Sequence, residues 1–148
     1  MVKCYTIEGD EIDIDIEIRE SSIPGAGKGA FANQDIPEGY YSFYEGVIKG
    51  KNELCNDLYT WEIHKFSIKT GKMISDKVIY NIDSGKTGNW TRYVNCGMTK
   101  ADNNIKPLES FGNLLYIFKR DIKKGEELFV DYGRDYRRNE FGLSYKKT

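Results

Sequence analysis

Alternation between apolar and charged residues over positions 12 to 18 constrains the fold more than any other feature of this chain. Isoleucines stand at positions 12, 14, 16 and 18, and every residue between them is charged. Successive side chains of a β-strand point to opposite faces of a sheet, whereas those of a helix share a face about every 3.6 residues. The segment is therefore predicted to be a strand with one buried face, and the rest of the chain must supply a sheet for it.

The remaining sequence continues this pattern with short β-prone runs. They cover residues 30–32, 40–48, 59–68, 78–82, 114–118 and 127–131, and turns such as Asp83-Ser84-Gly85 separate them. No long segment has a helical stripe of apolar residues, and short helices are predicted only at 89–94 and 137–143. The 148 residues are predicted to form one mostly β domain of several short-stranded sheets with a few short helices.

Charge and hydropathy limit the partners of the chain. The formal net charge is −1, which argues against a domain that binds nucleic acid through bulk electrostatics. No apolar run approaches the roughly 20 residues that cross a bilayer, and the acidic N-terminal segment does not resemble a signal peptide. We therefore expect an intracellular protein without direct nucleic-acid or membrane binding.

The cysteines and the single histidine do not favour a metal site. Cys4, Cys55 and Cys96 lack the C-x-x-C spacing of a zinc site, and their odd number does not favour a disulfide framework. His64 is the only histidine, so a Ser-His-Asp triad would have to be built on it. No metal is predicted.

Three segments carry residues suited to ligand binding. Residues 25–29 contain three glycines, which let the backbone approach a ligand, although taken alone this segment is better explained as a tight turn. Residues 88–97 form a polar and aromatic run that ends in Asn95-Cys96-Gly97, which suits a tight bend. Residues 127–133 form a β-prone run that brings Tyr132 to a terminal glycine.

In this order and spacing the segments resemble those of the SET lysine methyltransferases, and residues 89–96 resemble the PR branch of that family. The likeness runs from about residue 18 to residue 145. The matching residues are Gly27-Lys28-Gly29, Tyr44-Glu45-Gly46, Ile82-Asp83, Gly88-Asn89, Arg92-Tyr93-Val94-Asn95, 121–128 and Asp131-Tyr132-Gly133. The resemblance implies a SET-domain (β-clip) fold in which the Tyr132 strand makes a knot-like crossing beside Asn95.

The resemblance also implies a division of the chain and a set of site residues. Residues 1–17 would be an N-terminal strand extension, 18–133 the catalytic domain, and 134–148 a basic aromatic lid with Tyr136, Phe141 and Tyr145. S-adenosylmethionine would be the methyl donor, bound by Ala26, Gly27, Lys28, Tyr59, Asn95 and Cys96. Tyr132 would be the central catalytic tyrosine and Tyr116 a second channel tyrosine. The substrate peptide would lie along Asn56, Asp57, Leu58, Tyr59, Thr60, Trp61 and Glu62, next to Tyr132. No cysteine follows Cys96, which excludes the zinc lid of many relatives.

This chemistry suits the composition. A lysine must lose its proton before it attacks a sulfonium methyl, although its reference pKa is about 10.4, and an apolar aromatic channel favours the neutral amine. Tyrosine provides both a channel wall and an oxygen, and the chain has 11 tyrosines and one histidine. The expected function is methylation of a basic protein, a histone tail in the nucleus. The acidic residues between Glu8 and Glu20 could attract such a substrate, although a solvated strand face explains them equally well.

Two other interpretations remain open at this stage. Asn95-Cys96-Gly97 stands where most SET enzymes have Asn-His-Ser, so the chain could be a catalytically weak or inactive PR-type interaction module. The motifs could also be coincidental in a β-rich binding domain, in which case residues 25–29, Asn95 and Tyr132 would lie far apart. The sequence leaves the target lysine, the number of methyl groups and the oligomeric state undetermined.

Overall fold

Ten short strands in three sheets form the fold, which was obtained as a computed structural model that describes residues 1–132. The strands are β1 (Val2–Tyr5), β2 (Glu11–Ile14), β3 (Ile16–Glu20), β4 (Lys28–Ala32), β5 (Tyr41–Phe43), β6 (Val47–Gly50), β7 (Thr60–Phe66), β8 (Met73–Asp83), β9 (Ile105–Ser110) and β10 (Asn113–Phe118). The sheet orders are β2-β1-β5-β10-β9, β3-β4 and β6-β8-β7. The mostly β class predicted from the sequence is confirmed, whereas the predicted lid at 134–148 lies outside the described residues.

The isoleucine run is divided between two sheets, so the prediction of one strand over 12 to 18 is wrong in this detail. Strand β2 pairs with β1, and β3 pairs with β4. The break falls at Asp15, whose backbone N–H donates to Gln34 and whose carboxylate accepts from Asn33. These bonds hold Asp15 against the turn that follows β4, so β2 and β3 do not continue as one strand. Ile14 and Ile16 are buried on either side of the break.

The strand predicted at 40–48 is also divided, into β5 of the five-stranded sheet and β6 of the three-stranded sheet. The other predicted elements differ from the observed ones mainly at their ends. Strands β1 and β9 are additional, and the run at 127–131 makes isolated bridges instead of a strand. The short helix predicted at 89–94 is a 3-10 helix at Trp90–Tyr93, and two further 3-10 helices lie at Asp57–Tyr59 and Lys100–Asp102. The helix predicted at 137–143 lies outside the described residues. Within residues 1–132, no helix has the length and apolar character to span a membrane.

The core lies between the five-stranded sheet and the elements packed on it. Its largest fully buried side chains include Tyr116 and Phe118 of β10 and Ile63 of β7. Complete burial of an aliphatic or aromatic side chain of this size contributes about 1.5–3 kcal/mol to stability. Cys4 of β1 also has no exposed surface, and burial raises the pKa of its thiol to about 12. Cys4 is therefore an apolar core residue and not a nucleophile.

Residues 126–130 pair with separate parts of the chain on their two sides. On one side the N–H of Ala32 donates to the carbonyl of Glu126, and the N–H of Leu128 donates to the carbonyl of Ala30. On the other side Asn95 makes a parallel bridge with Phe129, and Ile105 makes one with Val130. The segment thus joins the β3-β4 hairpin to the residues around Asn95 and to the start of β9. We call residues 126–130 the crossing segment.

The side chain of Asn104 fixes the crossing segment in place. It is 1% exposed, its amide donates to the carbonyl of Glu127 at 2.9 Å, and its oxygen accepts from the N–H of Phe129 at 2.8 Å. An amide that satisfies two main-chain groups in a buried position cannot be removed without leaving both groups unpaired.

We therefore expect Asn104→Ala to lower the free energy of unfolding by about 2–3 kcal/mol. Chemical denaturation followed by circular dichroism measures this change. Asn113→Ala, at an exposed position of β10, is the matched control and should change stability by less than about 0.5 kcal/mol. Equal effects of the two substitutions would contradict this role of Asn104.

Candidate functional site

Four aromatic side chains from distant parts of the chain pack together at the centre of the molecule. Tyr44 and Tyr116 have ring centroids 5.3 Å apart, and Trp61 lies 6.4 Å and 6.1 Å from them. The Trp61 ring also meets Tyr132 edge-on, at 5.9 Å and 73°. We call these four residues the aromatic cluster. It unites the two tyrosines predicted to be catalytic with Trp61 from the predicted substrate segment.

Hydrogen bonds fix the rings of the aromatic cluster. The indole N–H of Trp61 donates to the hydroxyl of Tyr116 at 2.8 Å, and the hydroxyl of Tyr44 donates to the carbonyl of Tyr59 at 2.7 Å. Tyr116 has no exposed surface and Tyr44 is 5% exposed. Burial raises the pKa of Tyr44 well above its usual range, so its hydroxyl stays neutral. The rings of Tyr44, Trp61 and Tyr116 are therefore held as rigid walls.

A narrow cavity opens beside these walls. It is lined by Tyr44, Leu58, Thr60, Trp61 and Tyr132. The hydroxyl of Tyr132 donates to the carbonyl of Val94. A tyrosine hydroxyl has one proton, so toward any other group this oxygen can act only as a hydrogen-bond acceptor. The cavity thus has aromatic walls and an acceptor oxygen whose orientation the backbone fixes.

The glycine turn at 25–29 meets the segment next to Tyr132 through Asn95. The side-chain amide of Asn95 donates to the carbonyl of Lys28 at 3.0 Å. The main-chain carbonyl of Asn95 accepts from the N–H of Val130 at 2.9 Å. Val94, the partner of the Tyr132 hydroxyl, directly precedes Asn95 in the chain. The three segments singled out in the sequence therefore converge. This convergence removes the interpretation in which the motifs are coincidental.

The glycine turn has the form expected of a loop that borders a ligand. Gly25 and Gly27 have φ values of +78° and +76°, which other residues adopt only with strain. A Cβ atom at either position would have no atom within 4 Å, so both glycines border open space. The Gly27 carbonyl accepts from the N–H of Ser21, which fixes the turn to β3. The turn therefore exposes its main chain to open space, and the predicted contact of Ala26, Gly27 and Lys28 with a methyl donor stays a prediction.

Cys96 is buried, and its sulfur points to the carbonyl of Gly97 at 3.6 Å. The N–H of Gly97 donates to the side chain of Asn103 at 2.9 Å, which fixes the bend after Asn95. Contact between Cys96 and a ligand would therefore involve its backbone more than its thiol.

Within residues 1–132, His, Cys, Asp and Glu side chains form no group of three that could hold a metal ion.

Tyr59 lies at the other side of the aromatic cluster, beneath the guanidinium of Arg92. The guanidinium carbon Cζ of Arg92 is 4.6 Å from the Tyr59 ring centroid. The guanidinium N–H groups of Arg92 donate to the carbonyls of Ser84 and Gly85. The Tyr59 carbonyl accepts from the N–H of Ser84 and from Tyr44. The described contacts of Tyr59 thus fix the start of β7. Its predicted contact with the methyl donor stays a prediction.

The predicted substrate segment, residues 56–62, runs into an edge strand. Strand β7 pairs with β8 on one side, and among residues 1–132 no strand pairs with its other side. The Ser84 N–H donates to the Tyr59 carbonyl, so by strand alternation the main-chain groups of Thr60 and Glu62 face the unpaired side. Glu109 of β9 accepts the N–H of His64, which ends this stretch. The unpaired edge can therefore bind a short extended peptide.

Asp83 holds the loop that leads to this edge, a role that was not predicted from the sequence. It is 5% exposed, and its carboxylate accepts from Lys49 at 2.8 Å, from the Asn56 N–H at 3.0 Å and from the Gly85 N–H at 2.8 Å. Burial raises the pKa of Asp83, but these bonds outweigh burial, so its pKa lies below the usual value. Asp83 therefore fixes both the Asn56 end of the substrate segment and the turn after β8.

The comparisons with known proteins agree with this geometry. A family model described as the PR domain of PR domain zinc finger protein 2 matches residues 16–141. Histone-lysine N-methyltransferase set-17 of Caenorhabditis elegans is 34% identical over 139 residues, which cover 88% of this chain and 46% of that protein. Histone-lysine N-methyltransferase PRDM7 of Homo sapiens is 32% identical over 126 residues, which cover 82% of this chain and 24% of that protein. The chain therefore spans less than half the length of these two relatives.

A solved structure extends the likeness to three dimensions. The methyltransferase domain of human PR domain-containing protein 2 superposes with a TM-score of 0.63 at 25% sequence identity. The match covers 82% of this chain and 79% of that domain. The chain thus shares its overall fold with that domain.

We expect Asp83→Asn to lower the free energy of unfolding by about 1–3 kcal/mol at pH 7, because backbone N–H groups lose a carboxylate acceptor. The pKa of Asp83 is lower in the folded than in the unfolded chain, so its stabilising effect is complete above about pH 4 and is lost as the pH falls through the folded-state value. The difference between wild type and variant should therefore shrink below about pH 4.

Urea denaturation between pH 7 and pH 3 measures this difference. Asp76→Asn, at an exposed position of the same strand, is the matched control and should show no such pH-dependent difference. A difference between wild type and Asp83→Asn that persists unchanged at acid pH would contradict this role of the carboxylate.

Proposed function

This chain belongs to the PR branch of the SET lysine methyltransferases, and from that premise we propose that it transfers a methyl group from S-adenosylmethionine to a lysine of a protein substrate. The observation that supports this most directly is the cavity that Tyr132 borders. The Tyr132 hydroxyl donates to Val94, and Asn95 next to it binds the glycine turn at Lys28. A donor beside the turn and a lysine in the cavity would meet close to the Tyr132 oxygen.

S-adenosylmethionine would supply a methyl group on a positively charged sulfur. The proposed contacts are Ala26, Gly27 and Lys28 of the glycine turn and Asn95 and Cys96 at the bend, with Tyr59 as a further candidate. The glycine turn borders open space at Gly25 and Gly27, which supports this assignment. The exposed main chain of the turn can provide N–H groups without any acid–base side chain.

The aromatic cluster would prepare the lysine for attack. A narrow apolar space disfavours the ammonium form and so favours the neutral nucleophile. Tyr44 and Trp61 line the cavity and are held rigidly by hydrogen bonds, so they can restrict the amine to the in-line direction. The Tyr132 oxygen acts as an acceptor and would stabilise the partial positive charge on the transferring methyl group. Tyr132 is therefore the proposed catalytic residue. Tyr116, predicted as a second channel tyrosine, is not among the residues that line the cavity, and its proposed role is to hold the Trp61 ring through their hydrogen bond.

The proposed substrate is a basic peptide segment, such as a histone tail. The unpaired edge of β7 offers the main-chain groups of Thr60 and Glu62, and Leu58 and Thr60 line the cavity entrance. The exposed carboxylate of Glu62 suits a basic peptide. The relatives named as histone-lysine methyltransferases support this substrate class and, with it, a chromatin-associated role in the nucleus.

The proposed catalytic unit is residues 18–133, with residues 1–17 as an N-terminal extension and residues 134–148 as a lid. Strand β1 of the extension pairs with β5 in the same sheet as Tyr116 of β10. The extension would therefore stabilise the strand that carries Tyr116.

A second candidate function is a PR-type module that binds donor or peptide without catalysis. The observation that favours it is the bend at Asn95, where a buried cysteine takes the position of a histidine in most SET enzymes. The two functions differ in turnover and not in fold, so an activity measurement separates them.

We expect radiolabelled methyl transfer from S-adenosylmethionine to a core-histone mixture, and we expect Tyr132→Phe to lower its rate by about 10²-fold or more, because one preorganised oxygen is lost. Tyr5→Phe is the matched control. The Tyr5 ring packs on Tyr41 in another part of the five-stranded sheet, so its substitution should leave the rate unchanged.

Binding of S-adenosylhomocysteine, measured by calorimetry, completes this experiment. Donor binding without labelling by the wild type would favour the non-catalytic module. Labelling that is equal for wild type and Tyr132→Phe would remove Tyr132 from the mechanism. Absence of both binding and labelling would refute the proposed function.

A further inference from the structure

Glu127 is a buried acid that the proposed mechanism does not use. It is 8% exposed and lies in the crossing segment, five positions before Tyr132. Its carboxylate accepts hydrogen bonds from the Ser21 hydroxyl at 2.6 Å, the Ser22 N–H at 2.8 Å and the Ser22 hydroxyl at 2.6 Å. Hydrogen bonds to a carboxylate are roughly twice as strong as those between neutral groups. Glu127 therefore holds Ser21 and Ser22 firmly, although they lie 106 and 105 residues away in the chain.

Ser21 and Ser22 lead directly into the glycine turn. The Ser21 N–H donates to the Gly27 carbonyl at 2.8 Å, which closes the loop from Ser21 to Gly27. The Ser21 hydroxyl also accepts from the N–H of Ile23 at 3.1 Å. One buried carboxylate thus fixes the start of this loop, and the loop carries the glycines that border open space.

The other end of the turn is shaped around the same carboxylate. A Cβ atom on Gly29 would lie 2.5 Å from a carboxylate oxygen of Glu127, so only glycine leaves room for it. The main chain of Glu127 accepts from Asn104, and Glu127 bridges to Phe31 of β4. The carboxylate therefore binds the residues that lead into the glycine turn and lies close to Gly29 at its other end, and the crossing segment that carries it continues to Tyr132.

We propose that Glu127 is a positioning residue that holds the glycine turn in the shape required for methyl-donor binding, through Ser21 and Ser22. This inference rests on the proposed function, because it assigns the donor to the glycine turn. Glu127 itself contacts the turn and not the cavity of the aromatic cluster. Its loss should therefore weaken donor binding and leave the use of the protein substrate unchanged.

The experiment compares Glu127→Gln with Glu126→Gln in the full chain. Both substitutions remove one negative charge, but the Glu126 carboxylate binds Arg120 and the Lys123 N–H at the turn 121–125, away from the glycine turn. We expect Glu127→Gln to raise the KM for S-adenosylmethionine and the Kd for S-adenosylhomocysteine by about tenfold. The KM for core histones should stay the same, and Glu126→Gln should change neither constant.

Ser22→Ala is a milder variant that tests the same contact if Glu127→Gln does not fold. Ser22 is exposed, and its alanine variant loses the hydroxyl bond but keeps the N–H bond to Glu127. We expect a smaller increase in the donor constants, again without a change for histones. A parallel rise of both KM values would mark a general structural effect and overturn the positioning role.

The outcomes separate this inference from the proposed function. If the wild type binds S-adenosylhomocysteine and both Glu127→Gln and Ser22→Ala bind it equally well, the role of Glu127 is wrong and the proposed function stands. If the wild type binds the donor but transfers nothing, the Kd values still test the role of Glu127. If the wild type does not bind the donor, the proposed function and this inference both fail.

Discussion

The pairing of residues 126–130 on both of their sides is the constraint on which the rest of the structure depends. The main chain of this segment donates hydrogen bonds to the carbonyls of Ala30 and Asn95 and accepts one from the N–H of Ala32. The buried side-chain amide of Asn104 also binds its main chain. Without it the β3-β4 hairpin, the bend at Asn95 and the start of β9 would have no common neighbour. Because an unpaired buried main-chain group is costly, the crossing leaves little freedom in where residue 132 emerges.

The hydrogen-bond directions of the tyrosine hydroxyls determine the chemical character of the site. The hydroxyls of Tyr44 and Tyr132 donate to backbone carbonyls, and that of Tyr116 accepts from Trp61. Among residues 1–132, the cavity is lined by three aromatic side chains, Leu58 and Thr60, without a carboxylate, lysine, arginine or histidine. In the proposed function, such an environment would favour a neutral amine and would stabilise positive charge on a transferring methyl group.

The site was predictable to the extent that its residues lie in recognisable segments. Tyr132, Asn95 and the glycine turn could be named because their motifs occur in the order typical of the family, and the structure brings these three together. Tyr44 belongs to a matching segment, but the sequence predicts no site role for it, since packing explains a single tyrosine equally well. Asp83 and Glu127 lie in segments that match the family, but their roles could not be predicted, because they depend on partners such as Asn56 and Ser22 that only the folded chain brings near.

The sequence by itself determined the mostly β class, the places of several turns and the family. Alternation and turn residues act over a few positions, so local sequence is enough to specify them. The tertiary structure decided which strands share a sheet: the isoleucine run divides at Asp15 because Asn33 and Gln34 bind there. It also decided that residues 127–131 bridge two partners instead of forming a strand of their own. These outcomes depend on hydrogen bonds between residues far apart in the chain, which local patterning does not encode.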